Sequence, residues 1–319
     1  MYHRGFARTA LVALLTVLLL AMPSLSVAQG GTPSPGDESE LAPQLPTVDL
    51  PTLNEMNYRF ELESVWTGSA GTPAELPVYL FEPIVYTEED VARIAEELGV
   101  EGEITSQGAG SYSVSGNGSI FTSPGLLQYV SAAEPPDEDL PSNAEAVALA
   151  HEWLRTTGLL PANIGEGEVL ATIETPARKI VGFQPATPSP LLSSTPGITV
   201  TIGPDATVIE ARINWAEITE SDVYLLRPVE DAFAQVASRQ SYINATLPAD
   251  QFPQGSTISG TATYDSVSIA YASSGVPGET QFLQPVYVFE GSVDVAEAEG
   301  TFDIVAYVPA IVTGLEPVG

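Results

Sequence analysis

Residues 76–82 read Leu-Pro-Val-Tyr-Leu-Phe-Glu, and residues 284–290 read Gln-Pro-Val-Tyr-Val-Phe-Glu, which is nearly the same sequence. Both stretches are rich in β-branched and aromatic residues, a composition typical of β-strands. In each stretch two aromatic side chains stand at alternate positions: Tyr79 with Phe81, and Tyr287 with Phe289. We therefore expect two similar strands. Their aromatic side chains either fill the core of a sheet or form a surface that binds a partner protein.

Three amphipathic helices are predicted around these strands. The first begins at Thr87, which forms a capping box with Asp90, and the second begins at Ser142, which pairs in the same way with Glu145. The third follows Pro228, because proline is well tolerated where a helix begins. Each start is followed by apolar residues at helical spacing, so each helix should bury one face.

The pattern of a helix followed by short strands occurs three times along the chain. The sequence therefore predicts an α+β protein of two or three units, each a helix packed on an antiparallel β-meander. The predicted units are residues 58–133, 142–219 and 220–319.

The N-terminal residues have the pattern of an export signal. Residues 1–28 contain two arginines, then an apolar run, then the small residues Ser26-Val27-Ala28, as in a secretory signal peptide. If this segment were not cleaved, it would be the chain's membrane anchor. Residues 29–57 are rich in proline and glycine, and we interpret them as a disordered spacer. The protein is thus expected to be extracytoplasmic, either secreted or associated with the cell envelope.

Composition narrows the range of functions. The 319 residues include 41 acidic and 10 basic side chains, and the net charge of −31 argues against nucleic acid as a partner. There is no cysteine, which excludes disulfides, thiol catalysis and cysteine-based zinc sites. The expected partner is an envelope or extracellular protein.

Few residues suggest catalysis. His151 is the only histidine after residue 28, and we interpret it as a half-buried packing residue because the chain has no Gly-x-Ser-x-Gly motif. Lys179 is the only lysine and is interpreted as solvated. Carboxylates are numerous, and no spacing selects a catalytic pair among those on or beside candidate strands: Glu61, Glu82, Glu174, Glu210, Glu217 and Glu290. No catalytic residue, cofactor or metal site is predicted.

Two stretches give the chain a resemblance to a known family. Residues 224–233, Tyr-Leu-Leu-Arg-Pro-Val-Glu-Asp-Ala-Phe, precede the third helix, and residues 283–291, Leu-Gln-Pro-Val-Tyr-Val-Phe-Glu-Gly, form a late strand with proline and aromatic residues. Together they resemble PepSY-type domains, and the paired arrangement resembles the extracytoplasmic regulatory proteins YycH and YycI over residues 140–310. The resemblance implies a non-catalytic modulator of a sensor kinase or a protease.

The sequence therefore favours an exported binding or regulatory protein without enzymatic activity. Two alternatives stay open. The first is a secreted or surface structural module on a flexible stalk, and the second is a secreted hydrolase that uses carboxylates. A hydrolase would require an isolated acid in a cleft with a raised pKa.

Overall fold

The computed structural model describes residues 45–51, 57–69, 71–133, 139–248, 250–276, 279–296, 298 and 300–312. These residues lie within the unit Ala42–Gly319. The predicted signal peptide, residues 1–28, is outside the described residues. Of the described residues, 52% are in strands and 14% in helices. Among them, no helix has both the length and the apolar character needed to cross a membrane.

The regular elements follow the chain in this order. The strands are β1 (Arg59–Trp66), β2 (Glu75–Pro83), β3 (Ile104–Gly108), β4 (Ser111–Ser115), β5 (Gly118–Ser123), β6 (Leu126–Ser131), β7 (Ile164–Glu174), β8 (Ala177–Pro185), β9 (Gly197–Ile202), β10 (Val208–Asn214), β11 (Ala216–Leu225), β12 (Tyr242–Ala245), β13 (Thr257–Ser274), β14 (Gln281–Val295) and β15 (Thr301–Pro309). The helices are α1 (Glu88–Glu97), α2 (Asn143–Thr156) and α3 (Val229–Ala237).

Eight strands form one antiparallel sheet, in the order β3-β4-β5-β6-β10-β9-β8-β7. Two four-stranded meanders meet in it, where β6 pairs with β10. Helices α1 and α2 cover one face, and their residues Ile94 and Leu154 share a core with strand residues such as Leu127 and Val200. The opposite face carries exposed apolar side chains: Phe121, Val130 and Leu170 are 39%, 37% and 55% exposed. This eight-stranded sheet therefore has one buried and one open face.

The other seven strands form a mixed sheet. Its main path is β1-β13-β14-β15-β12, while β2 lies between β14 and β11, and β1 runs parallel to β13. Helix α3 packs on this sheet over a group of rings. Trp66 and Phe289 have ring centres 5.5 Å apart, and Phe233 of α3 lies 5.6 Å from Phe289. This geometry is the edge-to-face arrangement that aromatic rings prefer.

Two irregular segments complete the seven-stranded sheet beyond the end of β1. Val48 forms a bridge with Ser274, and Leu191, from the loop between β8 and β9, forms a bridge with Tyr271. The backbone N–H of Leu192 donates to the Tyr271 carbonyl at 2.8 Å. The β8–β9 loop therefore leaves the eight-stranded sheet and packs on the seven-stranded one.

The eight-stranded sheet is inserted between two paired strands of its neighbour. β2 ends at Pro83 and β11 begins at Ala216, and these two residues are partners in the β2–β11 ladder. All of α1, α2 and β3–β10 lie between them in sequence. The chain therefore leaves the seven-stranded sheet at Pro83 and returns to the adjacent position at Ala216.

The predicted fold class was wrong. Instead of separate helix-on-meander units, the strands join two large sheets, and β1 and β2 pair with strands beyond residue 215 rather than with β3–β6. Alternation of apolar residues reports which side chains face a core, but it does not report which strand edges meet.

The disordered spacer predicted for residues 29–57 also needs correction where the structure describes it. Residues 45–51 lie against the seven-stranded sheet, with Val48 and Leu50 only 8% and 5% exposed. Isolated apolar residues cannot form a core of their own, but here they pack on Ala272 and Val286 of a sheet that is already built.

Candidate functional site

The four aromatic residues singled out from the sequence lie on the seven-stranded sheet. Phe81, Tyr287 and Phe289 are 2%, 1% and 0% exposed, so they form core rather than a free binding surface. Tyr79 is half-buried and packs edge-on against Tyr271, with ring centres 5.5 Å apart. The burial of Phe81, Tyr287 and Phe289 corrects the interface hypothesis for these three side chains.

The two residues considered for catalysis have packing or supporting contacts. His151 is half-buried on α2, and its ring lies 6.4 Å from that of Phe183. Lys179 is buried rather than solvated, at 8% exposure, and its ammonium donates to the Asn143 side-chain oxygen at 2.5 Å. Lys179 therefore lies beneath the start of α2.

The six candidate carboxylates are dispersed, with one exception. Glu82 and Glu217 are direct cross-strand partners in the β2–β11 ladder, and both are exposed to solvent. Glu210 accepts a hydrogen bond from Gln128, and Glu290 accepts one from Ser266. Of the six, Glu174 alone is among the described residues that line a groove beside α2.

A groove of about 1340 Å³ runs beside α2 at one end of the eight-stranded sheet. We call it the acidic groove, and it has three walls: one face of α2 with the chain before it, the turn between β7 and β8, and the turn between β9 and β10. Its rim carries five exposed carboxylates, Asp139, Glu145, Glu152, Glu174 and Asp205. Neither Lys nor Arg is among its lining residues within the described chain.

Helix α2 supplies its wall through residues at helical spacing. Glu145, Leu149 and Glu152 are separated by four and three positions, so they lie on one face. Leu149 is half-buried and packs against the core of the eight-stranded sheet, while the two glutamates are exposed on either side of it. This face is therefore apolar along its centre and acidic at its edges.

The two turns supply the opposite walls. Glu174 and Ala177 are partners at the end of the β7–β8 ladder, so Thr175 and Pro176 form the turn between them. The other turn is Pro204–Ala206, where Asp205 has a positive φ of 53°, a conformation that aspartate tolerates better than most residues. Leu140, Pro141, Ala177 and Pro204 add apolar surface to the floor.

The electrostatics of the groove favour cations. A hydrogen bond from the Ser142 hydroxyl holds the pKa of Glu145 below its ordinary value, and hydrogen bonding from Arg155 lowers the pKa of Glu152. Both carboxylates are therefore ionised at neutral pH. Arg155, three positions after Glu152 on α2, forms an ion pair with it, and the charge of Lys179 contributes to the lowered pKa of Glu145.

The carboxylates surround the groove rather than converge on one point. Within the described residues, no group of three or more His, Cys, Asp or Glu side chains is placed to hold a metal ion. The arrangement is suited to a ligand that carries several positive charges along its length and apolar groups between them.

The sequence predicted Glu145 as part of a helix cap and placed Glu174 on or beside a strand, but it gave no sign that the two carboxylates share a groove. The available signal was the polar face of α2, where Glu145 and Glu152 flank an apolar Leu149. The two turns could not be placed beside that face until the order of strands in the sheet was known.

Comparisons with known proteins found distant structural likenesses. An uncharacterised protein from Eubacterium rectale has 10% identity and a TM-score of 0.41, and the match covers 82% of this chain and 91% of that one. The C-terminal domain of YpeB from Bacillus megaterium has 12% identity and a TM-score of 0.35, and the match covers 75% of this chain and 99% of that one.

No protein-family model matches the chain. No curated protein matches it either. Both likenesses have TM-scores below 0.5, so the resemblance to PepSY-type domains stays a prediction from the sequence. At these TM-scores, neither solved structure supports an inference about function.

Proposed function

We propose that this protein is an exported, non-catalytic binding protein whose acidic groove holds a basic segment of an envelope or extracellular partner. The observation that carries the proposal is the groove itself, which has five carboxylates around an apolar floor and, in the part of the chain that the structure describes, no basic lining residue. A segment with alternating basic and apolar residues would complement both properties.

The pKa shifts of the carboxyl groups favour a binding role over hydrolysis. A catalytic acid would need a raised pKa, whereas the pKa is lowered for each carboxyl group with a displaced value in the described residues: Asp90, Glu145 and Glu152. Export is proposed from the pattern of residues 1–28, and regulation of a sensor kinase or protease from the resemblance to YycH and YycI.

The test compares two double variants of the chain from Gln29 onwards. Glu174→Gln with Asp205→Asn removes two charges from the groove and leaves both helix caps intact. Glu96→Gln with Glu97→Gln removes two exposed charges from α1, away from the groove. Each protein is titrated by calorimetry with a twelve-residue peptide of alternating Lys and Leu, and each serves as bait in pull-downs from intact cells.

We expect the groove variant to bind the peptide about five-fold more weakly or worse, with a reduced dependence on salt, and to lose the partner recovered by the unaltered bait. The α1 variant should match the unaltered protein. Equal weakening by both variants would mean that net charge, rather than the groove, attracts the peptide, and it would refute the proposal.

A further inference from the structure

A second cavity, of about 540 Å³, lies where the two sheets meet. We call it the junction cleft. It is at the end of β10 opposite to the Pro204–Ala206 turn, so it is separate from the acidic groove. Residues of β2 and β14 form one side, and residues of β4, β5, β6 and β10 form the other. Its volume is within the range of roughly 300–1,000 Å³ that is typical of small-ligand sites.

The walls of the junction cleft are largely apolar. Phe81 and Trp215 are 2% and 6% exposed, and Pro83, Pro124 and Leu126 complete this surface. The rings are fixed by their own packing, because Phe81 belongs to the core around Tyr271 and Trp215 belongs to the core beneath α1 and α2. The cleft is therefore held open by rigid parts of both sheets.

A side-chain amide of the seven-stranded sheet lines this cavity. Gln281, the first residue of β14, is 6% exposed and lines the cleft, and its side-chain amide forms no hydrogen bond with another described residue. Gln281 is not among the described residues with a buried polar atom that lacks a partner, so its amide is in contact with the solvent of the cleft. A ligand there could replace this solvent as the hydrogen-bond partner of the amide. The half-buried Asn214 provides a second amide in the same cleft.

Arg212 supplies the only charge among the residues that line the described cleft. Its guanidinium has no ion pair within the described chain, although the chain's net charge is −31. The acid two positions away, Glu210, accepts a hydrogen bond from Gln128 at 3.2 Å. Arg212 also lines a neighbouring groove on the open face of the eight-stranded sheet. Glu166 and Glu168 lie in that groove. The planar group of Arg212 is thus available for a carboxylate, which it can bind through two parallel hydrogen bonds.

We propose that the junction cleft binds the carboxyl terminus of a peptide chain. The terminal carboxylate pairs with Arg212, the peptide amides bond to Gln281 and Asn214, and the last side chains pack on Phe81 and Trp215. This inference does not depend on the acidic groove. One ligand class satisfies the cation, the two amides and the apolar wall together, whereas a cationic or purely apolar ligand would leave Arg212 or Gln281 unpaired.

The experiment uses N-acetylated tripeptides with a central Ala, Leu, Phe or Tyr, each prepared with a free carboxylate and with a terminal amide. The long-range field of a chain with 41 acids repels the carboxylate form, so a preference for that form must come from a local cation. Calorimetry is carried out on the chain from Gln29 onwards. Thermal unfolding verifies that each variant is folded.

We expect at least one free-carboxylate peptide to bind at least ten-fold more tightly than its amide. Arg212→Gln should abolish that difference, while Arg59→Gln, which removes an exposed cation from β1, should preserve it. Gln281→Met should weaken both peptide forms several-fold and leave their ratio unchanged. Equal binding of the two forms, a preference that survives Arg212→Gln, or no binding at millimolar concentration would overturn the proposal.

Discussion

The two sheets differ in how much of their surface is covered. The seven-stranded sheet receives α3, residues 45–51 and the β8–β9 loop, and its central strand β14 is buried over most of its length. The eight-stranded sheet receives two helices on one face and leaves the other open. The covered sheet therefore provides stability, while the eight-stranded sheet and the junction present the surfaces that can meet ligands.

The largest expected difference between the sheets concerns their aromatic residues. Phe289→Ala should lower the free energy of unfolding by about 3–5 kcal/mol, because it empties a site enclosed by Trp66 and Phe233. Phe121→Ala, on the open face, should cost about 1 kcal/mol or less, since that ring is already 39% exposed. Urea denaturation of both variants measures the contrast. Equal losses would show that the open face is covered in solution.

The second contrast, of intermediate size, is between the losses of stability caused by replacing a glycine with alanine in each sheet. A Cβ at Gly291 in β14 would be 2.1 Å from the Thr263 carbonyl oxygen, so Gly291→Ala should cost about 2–3 kcal/mol because backbone would have to move. A Cβ at Gly182 in β8 would instead meet a side chain, that of Leu170, at 2.6 Å from Cδ1 and 2.8 Å from Cγ.

Leu170 is 55% exposed and can rotate away, so Gly182→Ala should cost about 1 kcal/mol or less. Combining it with Leu170→Ala should remove the part of that cost due to the collision, which thermal unfolding of the double variant tests. If Gly182→Ala were as costly as Gly291→Ala, the open face would be packed as tightly as the covered sheet.

The smallest predicted effect concerns the first turns of α1 and α3, which are capped differently. Thr87 caps α1 in a capping box with Asp90, whereas α3 begins at Pro228 without a side-chain cap. The hydrogen bond from Thr87 lowers the pKa of Asp90 in the folded protein. A depressed carboxyl pKa contributes stability above the unfolded-state value, and this contribution is lost as the pH falls through the folded-state value.

Thr87→Ala should therefore lower the free energy of unfolding by about 1 kcal/mol at pH 7 and by less at pH 3. Pro228→Ala should have an effect that does not change between these pH values. Urea denaturation at both pH values gives the comparison. An undiminished effect of Thr87→Ala at pH 3 would mean that the Asp90 carboxylate does not take part in the cap.

Local structure was predictable from the sequence where a few neighbouring residues determine it. Both capping boxes were confirmed. The Asn117-Gly118 pair lies where β4 turns into β5, but without the positive φ angles that such pairs commonly adopt in hairpin turns. Among the described residues, positive φ angles do not include Asn117 or Gly118. Instead the Asn117 side chain accepts a hydrogen bond from the Glu101 N–H and donates one to the Gly99 carbonyl. These two bonds connect the turn to the chain that follows α1.

Long-range pairing was not predictable from the same patterns. β3 has too little apolar content for its own sequence to predict a strand, and its place is fixed by its ladder with β4. The acidic groove depends on Glu174 and Asp205, which belong to different turns and meet only at one end of the eight-stranded sheet. Gln281 and Arg212 likewise belong to different sheets and share the junction cleft.

The return of the chain to Ala216 beside Pro83 has a consequence for the order of folding. The eight-stranded sheet is encoded without interruption and can complete its ladders as soon as β10 has been made. β1 must wait for β13, since contacts such as that between Thr67 and Tyr264 span 197 positions. Closing so large a loop is slow, so the assembly of the seven-stranded sheet should set the folding rate. Until β13 arrives, β1 has an unpaired edge that is prone to association with other chains.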